Sequence, residues 1–219
     1  MSLLHLGGTL MPYLCLLLSG AALLVNGLAT LGRLPRRDAA TFSLVLGGTQ
    51  VVLGVVHVST GGTGPEVLLA AVGMFLFGLT YVYAGLDALL GLGSRGLGWF
   101  CGMVAFVGLL LAGFWLAADP LLAVLWVCWS VLWGLLFASA ALGAVRLEPF
   151  TGWALVLASQ FTATFPAFLG LAGWWPRAAG AAWLAAACLA ALFIAARVLA
   201  RRGPASPRRA SEGEAVGAR

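Results

Sequence analysis

The stretch VLLAAVGMFLFGLTYVYAGL, residues 67–86, contains twenty consecutive residues without a formal charge. A helix needs about 20 apolar residues to cross the ~30 Å hydrocarbon layer of a membrane. Six further windows of comparable length also lack charge, and none is long enough for two spans: 1–32, 39–65, 96–118, 120–145, 149–176 and 178–196. The sequence therefore predicts seven transmembrane helices.

The overall composition supports the same class. Of 219 residues, 62% are hydrophobic and only 9% are charged, and the mean hydropathy is +1.04. Soluble domains carry roughly 25% charged residues. The breaks between the windows are rich in Gly, Pro and polar residues, which interrupt helices and can be hydrated at the membrane surface. We therefore expect an all-α integral membrane protein.

The arginines predict the orientation of the chain. All twelve basic residues are Arg, and with the N-terminus outside, eleven of them fall on the inner side and only Arg177 on the outer side. Cytoplasmic loops carry an excess of basic residues, so we expect the N-terminus outside and the C-terminus inside. The net charge of +5 then reflects topology and contact with anionic lipid headgroups, not nucleic acid.

These patterns divide the chain as follows. A short outer extension (1–9) precedes the first six spans (10–176), a seventh transmembrane helix (177–200) and a disordered basic cytoplasmic tail (201–219). We expect the first six spans at about 10–32, 40–59, 67–91, 97–117, 121–143 and 150–173. The first window lacks a basic leader region and a cleavage site, so we interpret it as a retained span.

Few side chains in the predicted spans can carry out chemistry. The two histidines, His5 and His57, are not paired at helical spacing, and the four cysteines form no close-spaced pair. Motifs for nucleotide binding or hydrolysis are also missing. We therefore expect no enzyme activity, no metal and no cofactor. Asp87 remains open, because an acid within a span is a functional candidate but this one can also reach the cytoplasmic interface.

Aromatic and neutral polar residues form a second pattern within the spans. Trp126, Trp129 and Trp133 recur at i, i+3 and i+7, which places the three indoles on one stripe of the fifth helix. The other such groups are Phe77, Thr80 and Tyr81 in the third span, Gln160 and Thr164 in the sixth, and Asn26 in the first. The pattern is typical either of a packed helix interface or of a narrow pore for a small uncharged solute.

Five segments, in this order, resemble the bacterial AmiS/UreI family of urea channels and short-chain amide transporters. They are LLVNGLATLGRL (23–34), FGLTYVYAGLDALLGL (77–92), LGWF (97–100), WVCWSVLW (126–133) and FTGWALVLASQFTATFPAFL (150–169). The resemblance implies a six-helix unit of paired helices in the bacterial cytoplasmic membrane, assembled as a homohexamer with one pore in each protomer. It favours the pore over the packed interface.

The resemblance also implies roles for individual residues. The expected pore-lining residues are Leu23, Asn26, Phe77, Thr80, Tyr81, Trp126, Trp129, Leu132, Trp133, Gln160 and Thr164. Phe77 with Trp126 would form an outer constriction. Tyr81 with Leu132 and Trp133 would form an inner one.

Three departures refine the expected function. Gln160 stands where urea channels of the family have a glutamate, the outer loops are short and free of histidine, and a seventh span follows the six-helix unit. These features resemble the amide-transporter branch and predict a passive facilitator for small neutral amides or urea without acid gating. The alternatives are a structural or regulatory membrane subunit and a secondary transporter.

Overall fold

The computed structural model describes residues 3–62 and 64–202. The regular secondary structure in this part of the chain is all helical, without strands. The helices are α1 (Leu3–Thr30), α2 (Arg36–Gly61), α3 (Pro65–Leu90), α4 (Arg95–Trp115), α5 (Pro120–Ala140), α6 (Glu148–Ala158), α7 (Phe165–Leu171) and α8 (Ala179–Arg202). A 3₁₀ turn (Val145–Leu147) precedes α6, and a π-helical segment (Ser159–Thr164) joins α6 to α7.

Seven spans in the described residues are long and apolar enough to cross a membrane, and Val145–Leu171 counts as one continuous span. The prediction of an all-helical membrane protein with seven spans is confirmed. The first helix begins at Leu3, so it continues into the predicted outer extension. Most of the predicted cytoplasmic tail, from residue 203 on, lies outside the described residues.

The bundle is built from close helix pairs. The pairs α2–α3 and α4–α5 make the most extensive contacts, and α1 packs between α2 and the sixth span. The first pair is close because two glycines face each other: a Cβ atom added to Gly47 would lie 2.6 Å from the Gly78 carbonyl oxygen. Small residues let helix backbones approach closely in membranes, where packing rather than hydrophobicity drives association.

The sixth span changes its helical geometry halfway across. Pro166 lacks an N–H group, so an uninterrupted α-helix would lose a hydrogen bond there. The Phe165 N–H instead donates to the Gln160 carbonyl five residues earlier. Three hydroxyl groups within the π-helical segment donate to backbone carbonyls and keep them satisfied inside the membrane: Ser159 to Val156, Thr162 to Ala158 and Thr164 to Ser159.

The seventh span, α8, lies at the edge of the bundle. It contacts mainly α6 and α5, through a buried stripe that includes Leu189, Leu192 and Ala196. Its other face is highly exposed, with Trp183 78% accessible, as expected for a surface in contact with lipid. The remaining six spans surround a central group of aromatic residues from α3 and α5.

Candidate functional site

Five buried aromatic side chains meet at the centre of the bundle. Phe77 and Tyr81 come from α3, and Trp126, Trp129 and Trp133 come from α5. The Phe77 ring stacks on Trp133 with 4.5 Å between centroids and lies 5.4 Å from both other indoles. The Tyr81 ring is 6.4 Å from Trp133. We call these five residues the aromatic plug.

Hydrogen bonds hold two of the indoles in place. The Trp133 Nε1 donates to the Thr80 hydroxyl at 3.1 Å, and Thr80 in turn donates to the Leu76 carbonyl at 2.7 Å. The Trp129 Nε1 donates to the Thr162 hydroxyl, also at 3.1 Å. Because these N–H groups are paired within the protein, the plug presents mainly apolar ring surface to any solute beside it.

A cavity lies on each side of the plug. The outer cavity, named after the predicted orientation, has a volume of about 450 Å³, and the inner cavity has about 350 Å³. Phe77, Trp126 and Trp129 line the outer cavity, whereas Tyr81 and Trp133 line the inner one. The two cavities extend towards opposite ends of the bundle, and the plug lies between them.

The outer cavity contains a buried amide on α2. The Gln50 side chain is fully buried, and its Nε2 donates to the Cys15 carbonyl at 2.6 Å and to the Ser19 hydroxyl at 2.7 Å. Its Oε1 has no hydrogen-bond partner among the described residues. Ser19 also interacts with Tyr81 of the plug. The Tyr81 hydroxyl makes no well-aligned hydrogen bond within the described part of the chain.

Polar groups also line the inner cavity. Asn26 donates to the Ala22 carbonyl and to the Ser43 hydroxyl, each at 2.8 Å. Ser139 and Thr151 have buried hydroxyl oxygens that lack a partner among the residues described. The carboxylate of Asp87 accepts hydrogen bonds from the Ser94 backbone and hydroxyl, so it fastens the loop between α3 and α4.

Residues from α1, from the loop before α5 and from the link between α7 and α8 meet at the rim of the outer cavity. The Asp119 carboxylate accepts a hydrogen bond from the Leu122 backbone at the start of α5 and another from the Trp175 indole at 2.8 Å. The Trp175 ring lies 5.3 Å from Tyr13. Arg177 lines the same cavity. This arrangement ties the link between α7 and α8 to the rim of the outer cavity.

Most of the residues expected to line a pore border one of the two cavities. Those are Leu23, Asn26, Phe77, Thr80, Tyr81, Trp126, Trp129 and Trp133. The two expected constrictions are not separate, because Phe77 contacts Trp126 and also stacks on Trp133. They form one continuous plug.

Three of the expected residues lie elsewhere. Leu132 is fully buried in the helix packing, and Thr164 lies against Gly20 of α1. Gln160 is exposed on the outside of the bundle and borders neither cavity. The side chain that the sixth span directs towards the plug is Thr162, whose hydroxyl accepts the hydrogen bond from the Trp129 indole.

The sequence analysis did not identify three polar residues of the site: Ser19, Gln50 and Thr162. Each is a neutral polar residue inside a largely apolar span, and that polarity was the available signal. Hydrocarbon offers no hydrogen bonds, so such residues need a partner within the protein or in a solute.

A helical membrane protein with two end cavities that meet at an aromatic plug belongs to the class that moves small solutes across bilayers. Residues 11–174 match the sequence model of a protein family, described as "AmiS/UreI family transporter". The chain belongs to this family.

Similar proteins support this assignment over most of the chain. "Putative transporter protein AmiS2" of Rhodococcus erythropolis is 40% identical, over 88% of this chain and 94% of that protein. "Putative amidate substrates transporter protein" of Mycolicibacterium smegmatis is 38% identical, over 83% of this chain and 84% of that protein. The crystal structure of the urea channel from Helicobacter pylori is similar with a TM-score of 0.68 and 27% identity, over 75% of this chain and 99% of that one.

Proposed function

We propose that the protein is a passive facilitator for small neutral amides or urea, and that the solute crosses between the two cavities through the aromatic plug. The single observation that carries this proposal is the plug itself, which separates the outer from the inner cavity. The chain belongs to a transporter family, and the proposal assigns it no catalytic step.

The plug favours planar neutral solutes for two physical reasons. Stacked and edge-to-face rings leave flat apolar surfaces, against which a planar amide or urea can lie. An ion would lose its hydration there without a compensating charge, at a cost of tens of kcal/mol for a bare ion in an apolar medium. None of the five plug residues carries a formal charge.

Passage requires the rings to part. Phe77 and Trp133 stack at 4.5 Å, which leaves no gap for a solute between them. Rotation of Phe77 would open the plug while Trp129 and Trp133 remain held by their hydrogen bonds. Such side-chain motions need no external energy source, which supports passive transport in both directions. We infer permeation without acid gating, because the outer loops in the described part contain no histidine; His57, which lines the outer cavity, belongs to α2.

We also propose that the protein assembles as a homohexamer, as the family resemblance implies, with one complete pathway in each protomer. Both cavities are formed within a single chain, which supports a pathway that does not run between subunits.

Stopped-flow light scattering on proteoliposomes tests the proposal. We expect both urea and acetamide to enter faster than into empty liposomes, without saturation, at pH 7 and at pH 5. Saturable, ion-dependent flux would instead identify a secondary transporter. Rates equal to those of empty liposomes for both solutes, with correctly inserted protein, would contradict the proposed function and favour a structural or regulatory subunit.

A further inference from the structure

We propose that Gln50 is the residue that recognises the N–H groups of the solute, with Ser19 as its positioning partner. This inference rests on the proposed function and deepens it, because it says which solutes the pathway accepts. Gln50 would select solutes that carry at least one N–H next to a carbonyl, and it would discriminate against amides of similar shape whose nitrogen is fully alkylated.

The position of Gln50 places it beside the plug. The side chain lines the outer cavity together with Phe77 and Trp129. Its Cβ lies 3.2 Å from the point that a Cβ on Gly78 would occupy, and Gly78 directly follows Phe77. The close packing of α2 on α3 therefore brings this amide to the level at which the outer cavity ends.

The orientation of the amide follows from its partners. The Cys15 carbonyl can only accept a hydrogen bond, so the atom 2.6 Å away must be the NH₂ nitrogen of Gln50. The second hydrogen of this NH₂ group is donated to the Ser19 hydroxyl. Both donors are thus used within the protein, and Oε1 remains as an acceptor.

The free acceptor defines the chemistry of the ligand. Oε1 is buried and has no partner in residues 10–62 or 64–202, and leaving a buried polar atom unpaired is costly. A solute N–H that reaches it when the rings part can satisfy it, whereas a second acceptor cannot. Phe77, Trp126 and Trp129 line the same cavity, so a planar solute can stack on a ring while its N–H edge points to Gln50.

Ser19 connects Gln50 to a second polar group. It accepts a hydrogen bond from the Gln50 amide and interacts with Tyr81, which lines the inner cavity. The Tyr81 hydroxyl is buried and has no well-aligned hydrogen bond among the described residues. A solute that leaves Gln50 can therefore meet a second unpaired polar group before it reaches the inner cavity.

The experiment compares acetamide with N,N-dimethylformamide, a small planar amide without an N–H, in proteoliposomes after subtraction of the flux into empty liposomes. In Gln50→Leu we expect the ratio of acetamide to dimethylformamide permeability to fall roughly three- to tenfold, the range expected for loss of one hydrogen bond between neutral groups. The decrease should come from slower acetamide flux. Ser19→Ala, which removes one partner of the amide, should lower the ratio by a smaller factor.

Thr49→Val is the matched control. Thr49 is the neighbour of Gln50 on α2, is exposed and donates its hydroxyl to the Val45 carbonyl, so its replacement should leave the ratio unchanged. If Gln50→Leu does not fold, Ser19→Ala decides the question. If acetamide enters wild-type proteoliposomes faster than empty liposomes, but the folded variants keep the wild-type ratio of acetamide to dimethylformamide permeability, the inference about Gln50 is overturned and the proposed function stands. A wild type no faster than empty liposomes would overturn the proposed function as well.

Discussion

At the scale of single residues, the Thr80 hydroxyl has two roles. It accepts a hydrogen bond from the Trp133 indole and donates its own proton to the Leu76 carbonyl. Thr80 borders the inner cavity as expected, but its only proton is already used within the protein. Its function in the structure is to fix the orientation of Trp133 within the plug.

Replacing Thr80 by Val tests this role, because the two side chains have nearly the same shape. The buried Trp133 N–H would lose its acceptor, which costs about 1–3 kcal/mol. We expect a lower thermal unfolding temperature and, because the indole is less restrained, faster entry of larger amides relative to acetamide. Fluorescence-detected melting and stopped-flow flux measure the two effects.

Thr41→Val is the control for this prediction. Thr41 is exposed and donates only to the Arg37 carbonyl of its own helix, so its replacement should change neither quantity. Equal melting temperatures and selectivities for Thr80→Val and the wild type would show that Thr80 does not restrain the plug.

Sequence patterns revealed the aromatic half of the site more completely than the polar half. The stripe of Trp126, Trp129 and Trp133 follows from helical spacing alone, because all three lie on one helix. The partnership of Gln50 with Cys15 and Ser19 depends on the packing of α2 against α1, which spacing within one helix does not describe. Single polar residues in a span therefore gave no indication of which neighbour they would face.

At the scale of helices, the sixth span keeps α-helical spacing on its buried side. Thr151, Leu155, Ala158 and Thr162 are buried at steps of four, three and four residues, and Gln160 lies outside this stripe. The family resemblance, rather than helical spacing, implied a pore position for Gln160. The buried stripe continues into the π-helical segment at Thr162, which receives the Trp129 hydrogen bond.

The contact between α2 and α3 provides a second prediction at this scale. In Gly47→Ala, the new Cβ would lie 2.6 Å from the Gly78 carbonyl oxygen and 2.7 Å from the Val82 nitrogen. Both are backbone atoms, so the helices would have to separate. We expect a loss of about 1–3 kcal/mol in stability and slower acetamide flux, because Gln50 would move away from the plug.

The adjacent glycine offers a matched control. A Cβ on Gly48 would meet nothing within 4 Å, and alanine favours a helix over glycine by about 1 kcal/mol. Gly48→Ala should therefore be neutral or slightly stabilising, with normal flux. Identical melting curves for the two variants would contradict the role of Gly47 in close helix packing.

At the scale of the whole molecule, the exposed position of Gln160 bears on assembly. Its side chain lies halfway along the sixth span on the outside of the protomer, where Phe161 and Phe165 are also exposed. An amide that faces lipid there would lack full hydrogen bonding. We expect this face to contact a neighbouring protomer rather than lipid.

Gln160→Leu distinguishes a position of this residue between protomers from a position in the pore. If Gln160 lies between protomers, the oligomer should dissociate more readily in detergent, by an amount corresponding to about 1–2 kcal/mol per contact, while flux in intact oligomers stays normal. Size-exclusion chromatography with light scattering measures the oligomer, with Thr49→Val as the control for an exposed polar residue. An intact oligomer with reduced acetamide flux would instead indicate that Gln160 lines the solute pathway.

The apolar character of the plug has a consequence for the energetics of the cell. Transfer of protons along a pore needs an unbroken chain of water molecules or exchangeable groups. Here the indole N–H groups of Trp129 and Trp133 already donate to threonine hydroxyls, and stacked rings fill the space between the cavities. Under the proposed function, we expect the plug to let small neutral amides equilibrate across the membrane while it blocks proton transfer and so preserves the proton motive force that drives ATP synthesis.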